Sequence, residues 1–180
     1  MEYAYRSRKE KDSPEKLSEK QEQLAKNAWK LLWHWHRIPG MKDDGTFDFT
    51  IFKLWFDEVV AETSDSGHLE IALVTIGEAL FYSPAEEDNT LWINRQIAPL
   101  LNKIEYDGLR NGYSTECTNS RSAFWVDPTG APELEFAQQY EDKATAVDNL
   151  GFSRFASTLR SIAQSYRSQA KSHQERTLEN

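Results

Sequence analysis

The chain has 180 residues and a formal net charge of −8, from 21 Lys and Arg against 29 Asp and Glu. This length predicts one domain, and six Trp, seven Tyr and nine Phe supply the apolar surface for a core despite a mean hydropathy of −0.71. The composition excludes wholesale disorder. No apolar run approaches the about 20 residues of a membrane span, so no membrane partner is expected. The single cysteine, Cys117, excludes an internal disulfide framework and fits a reducing cytoplasm.

Charge is distributed unevenly along the chain. The net charge is +1 over residues 1–26, −12 over residues 27–150 and +3 over residues 151–180. An acidic body repels a phosphate backbone. Only the last predicted helix therefore offers a basic surface to a nucleic acid.

The first part of the chain predicts an extended segment followed by a helix. Residues 2–8 alternate aromatic or small with polar side chains, which predicts a short strand, and residues 9–13 form a charged linker. Ser13 and Pro14 are a favourable N-cap and first position for a helix over residues 14–37. Pro39 and Gly40 end that helix.

Helical spacing continues through most of the remaining sequence. It predicts helices over about 49–63, with Ile51, Phe52, Trp55 and Val59 inward, and over about 68–82. A helix over 91–104 is expected to kink at Pro99, and a weaker one over 105–117 is interrupted by Gly108 and Gly112. After irregular residues 119–131, two more helices follow, at about 132–149 and 152–176.

These elements predict an all-α fold. We expect a compact bundle of six or seven helices, with one short N-terminal strand or extended segment. In domain terms, residues 1–13 are an extended segment or linker, residues 14–176 a single helical domain, and residues 177–180 a tail.

The sequence contains no recognisable catalytic or metal-binding motif. His34 and His36 are two positions apart and point to different sides of a helix, so they cannot share an ion. The acidic loop from Asp43 to Asp48 has no glutamate where a calcium loop needs one. Cys117 has no base beside it in sequence, and no phosphate-binding loop occurs. The sequence thus predicts no catalytic residue, no metal and no cofactor.

Two groups of residues are candidates for contact with a partner protein. Arg121, Phe124 and Trp125 lie in a segment without helical period, and Arg and Trp are favoured at binding hot spots. The alternative is that the two aromatic rings fill the core while Arg121 pairs with Asp127 or a helix C-terminus. The second candidate is an aromatic ridge on the first helix, formed by Trp29, Trp33 and His36.

A third candidate surface lies on the last helix. Arg160, Arg167 and Lys171 align beside its apolar stripe and could contact a nucleic-acid backbone. No pattern of base-reading residues accompanies them. The alternative is a solvated helix edge, or pairing of these cations with the acidic body.

Several spaced motifs resemble a known group of proteins. They are Ala28-Trp29-Lys30-Leu31-Leu32, Pro39-Gly40, Asp44-Gly45, Asn119-Ser120-Arg121, Trp125, Asp127-Pro128-Thr129-Gly130 and the run from Arg154 to Tyr166. Over residues 25–175 or so, they resemble a helical region at the C-terminal end of large bacterial proteins that are mostly uncharacterised. The resemblance implies a segment or dedicated subunit of a larger assembly, in a context such as antiviral defence. It implies no activity and no catalytic residue.

Taken together, the sequence predicts a protein-interaction or regulatory module without catalysis of its own. Its partner would be another protein or the remainder of a larger polypeptide. The alternative function is a nucleic-acid-binding helical domain that uses the basic edge of the last helix. A hydrolase or nuclease built on scattered acids is the third hypothesis.

Overall fold

A computed structural model describes residues 35–85, 91–121 and 127–178, together with residues 18–20, 22–23 and 26–27. The predicted strand at 2–8 and its linker lie outside the described residues. So do Trp29, Trp33, Phe124 and Trp125.

The fold is all-α, which confirms the predicted fold class. The helices are α1 Phe49–Ser66, α2 Leu69–Leu80, α3 Ala98–Asn102, α4 Asp107–Asn119, α5 Ala131–Asp148 and α6 Ser153–Leu178, with a 3₁₀ turn at Ile104–Tyr106 before α4. Within the described ranges no strand forms, and the only extended pairing is an isolated bridge between Met41 and Phe47. None of the helices described here combines the length and the hydropathy that crossing a bilayer requires.

Two predicted helices have different bounds in the structure. Residues 35–38 are not helical, so the first helix does not reach residue 37 as predicted, although the described residues between 19 and 27 are helical. The predicted helix over 91–104 is reduced to α3, whose first turn contains Pro99. Proline lacks an N–H and is accepted where a helix begins, because the first N–H groups have no intrahelical partner. Pro99 therefore marks a helix start and not a kink.

The chain divides into two compact units. The first comprises the described residues up to Pro84 together with Asp107–Tyr113, and the second comprises those of Ala85–Tyr106 and of Ser114–Asn180. The helix α4 contributes residues to both units.

In the first unit, α1 packs against α2. Asp48 caps α1 by accepting hydrogen bonds from the backbone N–H groups of Thr50 and Ile51, and Gly67, whose φ is 80°, follows the last residue of α1 as its C-cap. Phe52 and Phe56 of α1 are fully buried. These two rings stack with centroids 5.8 Å apart and form the centre of this unit's core.

The glycines of α4 are contact points within the first unit and do not interrupt the helix. A Cβ atom on Gly112 would lie 1.9 Å from the carbonyl oxygen of Val74 in α2. In the opposite direction, a Cβ atom on Gly77 of α2 would lie 2.1 Å from the carbonyl oxygen of Leu109 in α4. Only glycine lets two helix backbones approach so closely. The prediction of an interrupted helix at 105–117 was wrong, because it considered the cost of glycine in a helix and not this packing.

In the second unit, α5 packs along α6. Phe155, Leu159 and Ala163 of α6 are fully buried, as are Ala144 and Val147 of α5. Asn102, at the end of α3, accepts hydrogen bonds from the backbone N–H groups of Arg154 and Phe155 at 2.8 and 3.3 Å. The side-chain oxygen of a residue distant in sequence thus accepts hydrogen bonds from N–H groups in the first turn of α6 that have no partner within the helix.

Candidate functional site

Arg121, predicted at the centre of a partner surface, lies in a mostly buried ion pair. Its Nη2 atom is 2.6 Å from Oε1 of Glu133, and their side chains are 12% and 0% exposed. The guanidinium also lies over the ring of Phe136, at 4.9 Å from its centroid, and over that of Tyr166, at 5.5 Å. The alternative expected Arg121 to pair with Asp127 or a helix C-terminus, and both partners were wrong, because Arg121 pairs with Glu133 in the first turn of α5. Asp127 instead accepts hydrogen bonds from the N–H and hydroxyl of Thr129.

The surroundings of Glu133 join the start of α5 to the end of α6. Burial raises the pKa of Glu133, but the hydrogen bond from Arg121, a backbone hydrogen bond and the charges of Arg121 and His173 together outweigh burial, and the net pKa is lowered. Nδ1 of His173 lies 3.6 Å from Oε2 of Glu133. The next residue, Gln174, donates a hydrogen bond of 2.7 Å to the backbone carbonyl of Thr129. These contacts anchor the segment that precedes α5.

A second group of polar side chains in the same unit is formed by Cys117, Tyr140 and Lys143. Burial raises the pKa of the Cys117 thiol to about 11, and burial also raises the pKa of Tyr140, which is hydrogen-bonded to Cys117. Nζ of Lys143 lies over the rings of Trp92 and Tyr140, at 4.9 and 5.0 Å from their centroids. Burial lowers the pKa of Lys143. At neutral pH, Cys117 is thus a thiol and not the thiolate that attacks electrophiles.

Metal-ligating side chains do not converge in the part of the chain that the structure describes. No group of three or more His, Cys, Asp or Glu residues there could hold an ion.

The cations of the last helix have acidic partners. Arg160 contacts Asp148 at 2.7 Å and Glu141 at 3.5 Å, and Arg167 contacts Glu141 at 3.0 Å. Lys171 lies 3.6 Å from Glu175 of its own helix. The alternative of pairing with the acidic body thus describes Arg160 and Arg167. Their local charge is balanced, which weakens attraction for a phosphate backbone.

The described part of the predicted aromatic ridge is His36. This residue is exposed, and its ring packs edge-on against Tyr82 with a centroid distance of 4.3 Å. The neighbouring Trp35 packs edge-on against Trp55 of α1 at 5.3 Å.

An exposed apolar surface lies on α1, beside Trp55. Ile51 and Leu54 are 50% and 68% exposed, and their spacing of three residues places them on one side of the helix. Glu58 and Glu62 continue the same side toward the C-terminal end of α1, and both are exposed. We call the side chains of Ile51, Leu54, Glu58 and Glu62 the outer face of α1.

Helical spacing predicted that Ile51 points inward, and this prediction was wrong. The first half of α1 carries apolar side chains around most of its circumference, at Phe49, Ile51, Phe52, Leu54, Trp55 and Phe56. A helix that packs on one side buries only one stripe of such residues. The excess of apolar residues over one stripe was the sequence signal for an exposed apolar surface.

Comparison of the chain with protein-family models, curated proteins and solved structures found no match.

Proposed function

We propose that this chain is a non-catalytic protein-interaction module and that the outer face of α1 is its contact surface. The observation that carries the proposal is the exposure of Ile51 and Leu54 on one side of a helix. Large apolar side chains grouped on a surface are typical of partner sites, whereas single exposed ones are ordinary.

The gain available from covering these two residues supports the proposal. Complete burial of an Ile or Leu side chain contributes about 1.5–3 kcal/mol. Since half or more of each side chain is exposed, a partner would recover roughly 1–2 kcal/mol from each. Two such anchors, with the half-buried ring of Trp55 beside them, could form the centre of a small interface.

The environment of the ionisable groups in the second unit favours a structural role for them. Arg121 and Glu133 neutralise each other inside the unit, and Cys117 is held as a thiol by burial. Arg160 and Arg167 of α6 are paired with acids, so no specific observation favours the nucleic-acid alternative. Contributions of Phe124, Trp125, Trp29 and Trp33 to partner binding stay predictions.

The biological setting belongs to the same proposal. We place the module in the bacterial cytoplasm, as a segment or subunit of a larger assembly with a defence-related context. The motifs from Ala28 to Tyr166 that resemble the C-terminal region of large bacterial proteins support the assembly. The single cysteine fits a reducing compartment.

A comparison of two double variants tests the contact surface. Ile51→Ser with Leu54→Ser removes the apolar part of the outer face, and Leu134→Ser with Leu150→Ser is the matched control on exposed leucines of the second unit. Each tagged full-length protein is cross-linked in the cells of origin, and its co-purified proteins are quantified by mass spectrometry. We expect the α1 variant to lose a reproducible set of proteins that the control retains, with unchanged circular dichroism. Retention of the whole set by the α1 variant would refute the contact surface.

A further inference from the structure

We propose that the outer face of α1 binds an amphipathic helix whose apolar residues are followed, about two turns away, by Lys or Arg. This inference rests on the proposed function, because it names the class of partner for the same surface. It is drawn from the order of chemical groups along α1.

Apolar and acidic side chains occupy successive parts of one helix side. Glu58 follows Leu54 by four residues and Glu62 follows by eight, so all three project from the same side. At 1.5 Å per residue, Leu54 and Glu62 are separated by about 12 Å along the axis. A partner that covers the apolar end therefore has part of its length beside two exposed carboxylates.

The arrangement of side chains on α1 is compatible with a helical occupant. Ile51, Leu54 and Glu58, spaced by three and four residues, form one row on α1, and a second helix packs by placing its own rows of side chains beside such a row. Such an occupant presents apolar anchors to the first two residues and a third side chain of its own near Glu58.

Charge determines what that third side chain is. A basic residue placed near Glu58 and Glu62 forms exposed ion pairs, which add at most about 1 kcal/mol each. An acidic residue in the same place is repelled. The apolar contacts thus supply most of the affinity, while the carboxylates select a basic partner and its direction along the helix.

The positions of the acidic side chains also disfavour a second copy of this chain as the occupant. Two outer faces packed in parallel would place carboxylates against carboxylates. Packed antiparallel with the whole faces overlaid, they would place Glu58 and Glu62 against the apolar end of the other copy, which desolvates charge without pairing it, and a register that pairs Ile51 with Leu54 leaves both carboxylates without a basic partner. An anionic lipid surface is repelled by the acidic end of α1 for the same reason.

Two synthetic helical peptides test the inference with the full-length protein. Both carry the same leucines one turn apart, and they differ only in two residues at one end, Lys in one peptide and Glu in the other. Binding is measured by fluorescence anisotropy. We expect the Lys peptide to bind about tenfold more tightly, and Glu58→Gln with Glu62→Gln to abolish the difference. The control on α5, Glu135→Gln with Leu134→Ser, should change neither affinity.

The variant Leu54→Ser separates failure of this inference from failure of the proposed function. If both peptides bind equally and Leu54→Ser weakens both, the contact surface stands and the basic partner is refuted. If Leu54→Ser leaves binding of the Lys peptide unchanged, the outer face is not the site, and both proposals are refuted.

A concentration-dependent dimer in sedimentation that Leu54→Ser abolishes would identify a second copy as the occupant and refute the basic helix. No binding of either peptide would also refute the basic helix, and the co-purification experiment would then decide the contact surface.

Discussion

The ion pair between Arg121 and Glu133 illustrates what the sequence discloses at the scale of single residues. The irregular segment and its arginine were visible, but the partners considered for Arg121 within the protein, Asp127 and a helix C-terminus, were wrong. The partner itself lies twelve residues later, in the first turn of α5, where an exposed acid is the usual occupant. Glu133 is fully buried in contact with Arg121 and with His173 of α6, and no periodicity in the sequence records this packing.

Replacement of Arg121 by methionine should destabilise the protein strongly. Glu133 would remain buried without its counter-charge, a situation that costs about 3 kcal/mol or more. The double variant Arg121→Met with Glu133→Leu removes both charges and should recover most of that loss. Urea unfolding at pH 7 measures both differences. A single variant as stable as the wild type, or a double variant less stable than the single one, would contradict this account of the pair.

At the scale of elements, helix starts were predicted better than helix contacts. Asp48 at the start of α1 and Pro132 at the start of α5 lie where local rules place them, because a cap acts on the next few residues. The role of Gly112 depends on α2, which lies more than thirty residues earlier in the chain. Local propensity therefore assigned a cost to this glycine and could not include its benefit.

Helix propensity and backbone packing predict opposite effects on stability when Gly112 is replaced by alanine. In an isolated helix, alanine is better than glycine by about 1 kcal/mol. Here the added Cβ would lie 1.9 Å from the carbonyl oxygen of Val74, so α2 and α4 must separate. We expect Gly112→Ala to lower the free energy of unfolding by at least about 2 kcal/mol. Thermal and urea denaturation measure the change, with Thr118→Ala on the exposed side of α4 as the control. A stabilised Gly112→Ala variant would show that the backbones are not in close contact.

At the scale of the whole molecule, acidic side chains exceed basic ones, and the isoelectric point is near 5.1. Repulsion among acids is relieved where they pair, as Glu141 and Asp148 do with Arg160 and Arg167 of α6. The sequence disclosed the acidic body and the basic edge as separate features. It could not show that α5 and α6 bring them together, because that pairing is set by which sides of the two helices pack.

The response to acid should depend on carboxyl groups whose pKa the fold lowers. Hydrogen bonds from Thr46 and Thr129 lower the pKa of Asp44 and Asp127, and Arg121 lowers that of Glu133 against the effect of burial. In an unfolded chain, the pKa values of Asp and Glu are about 3.9 and 4.3. A lowered pKa contributes stability that is complete above the unfolded value and is lost as pH falls through the folded one. The free energy of unfolding should therefore be steady from neutrality to about pH 5 and fall below it.

Glu133→Gln isolates the share of this acid response that belongs to the buried pair. The variant should be less stable than the wild type at pH 7, because Arg121 loses its counter-charge, and should lose less stability between about pH 5 and pH 3. Glu135→Gln, an exposed neighbour on α5, should keep the wild-type slope. Urea unfolding at intervals of pH gives the three curves. If the free energy of unfolding of Glu133→Gln falls with pH as steeply as that of the wild type, Glu133 is not a source of the acid sensitivity. The carboxylates of Asp44 and Asp127 would then be the remaining candidates.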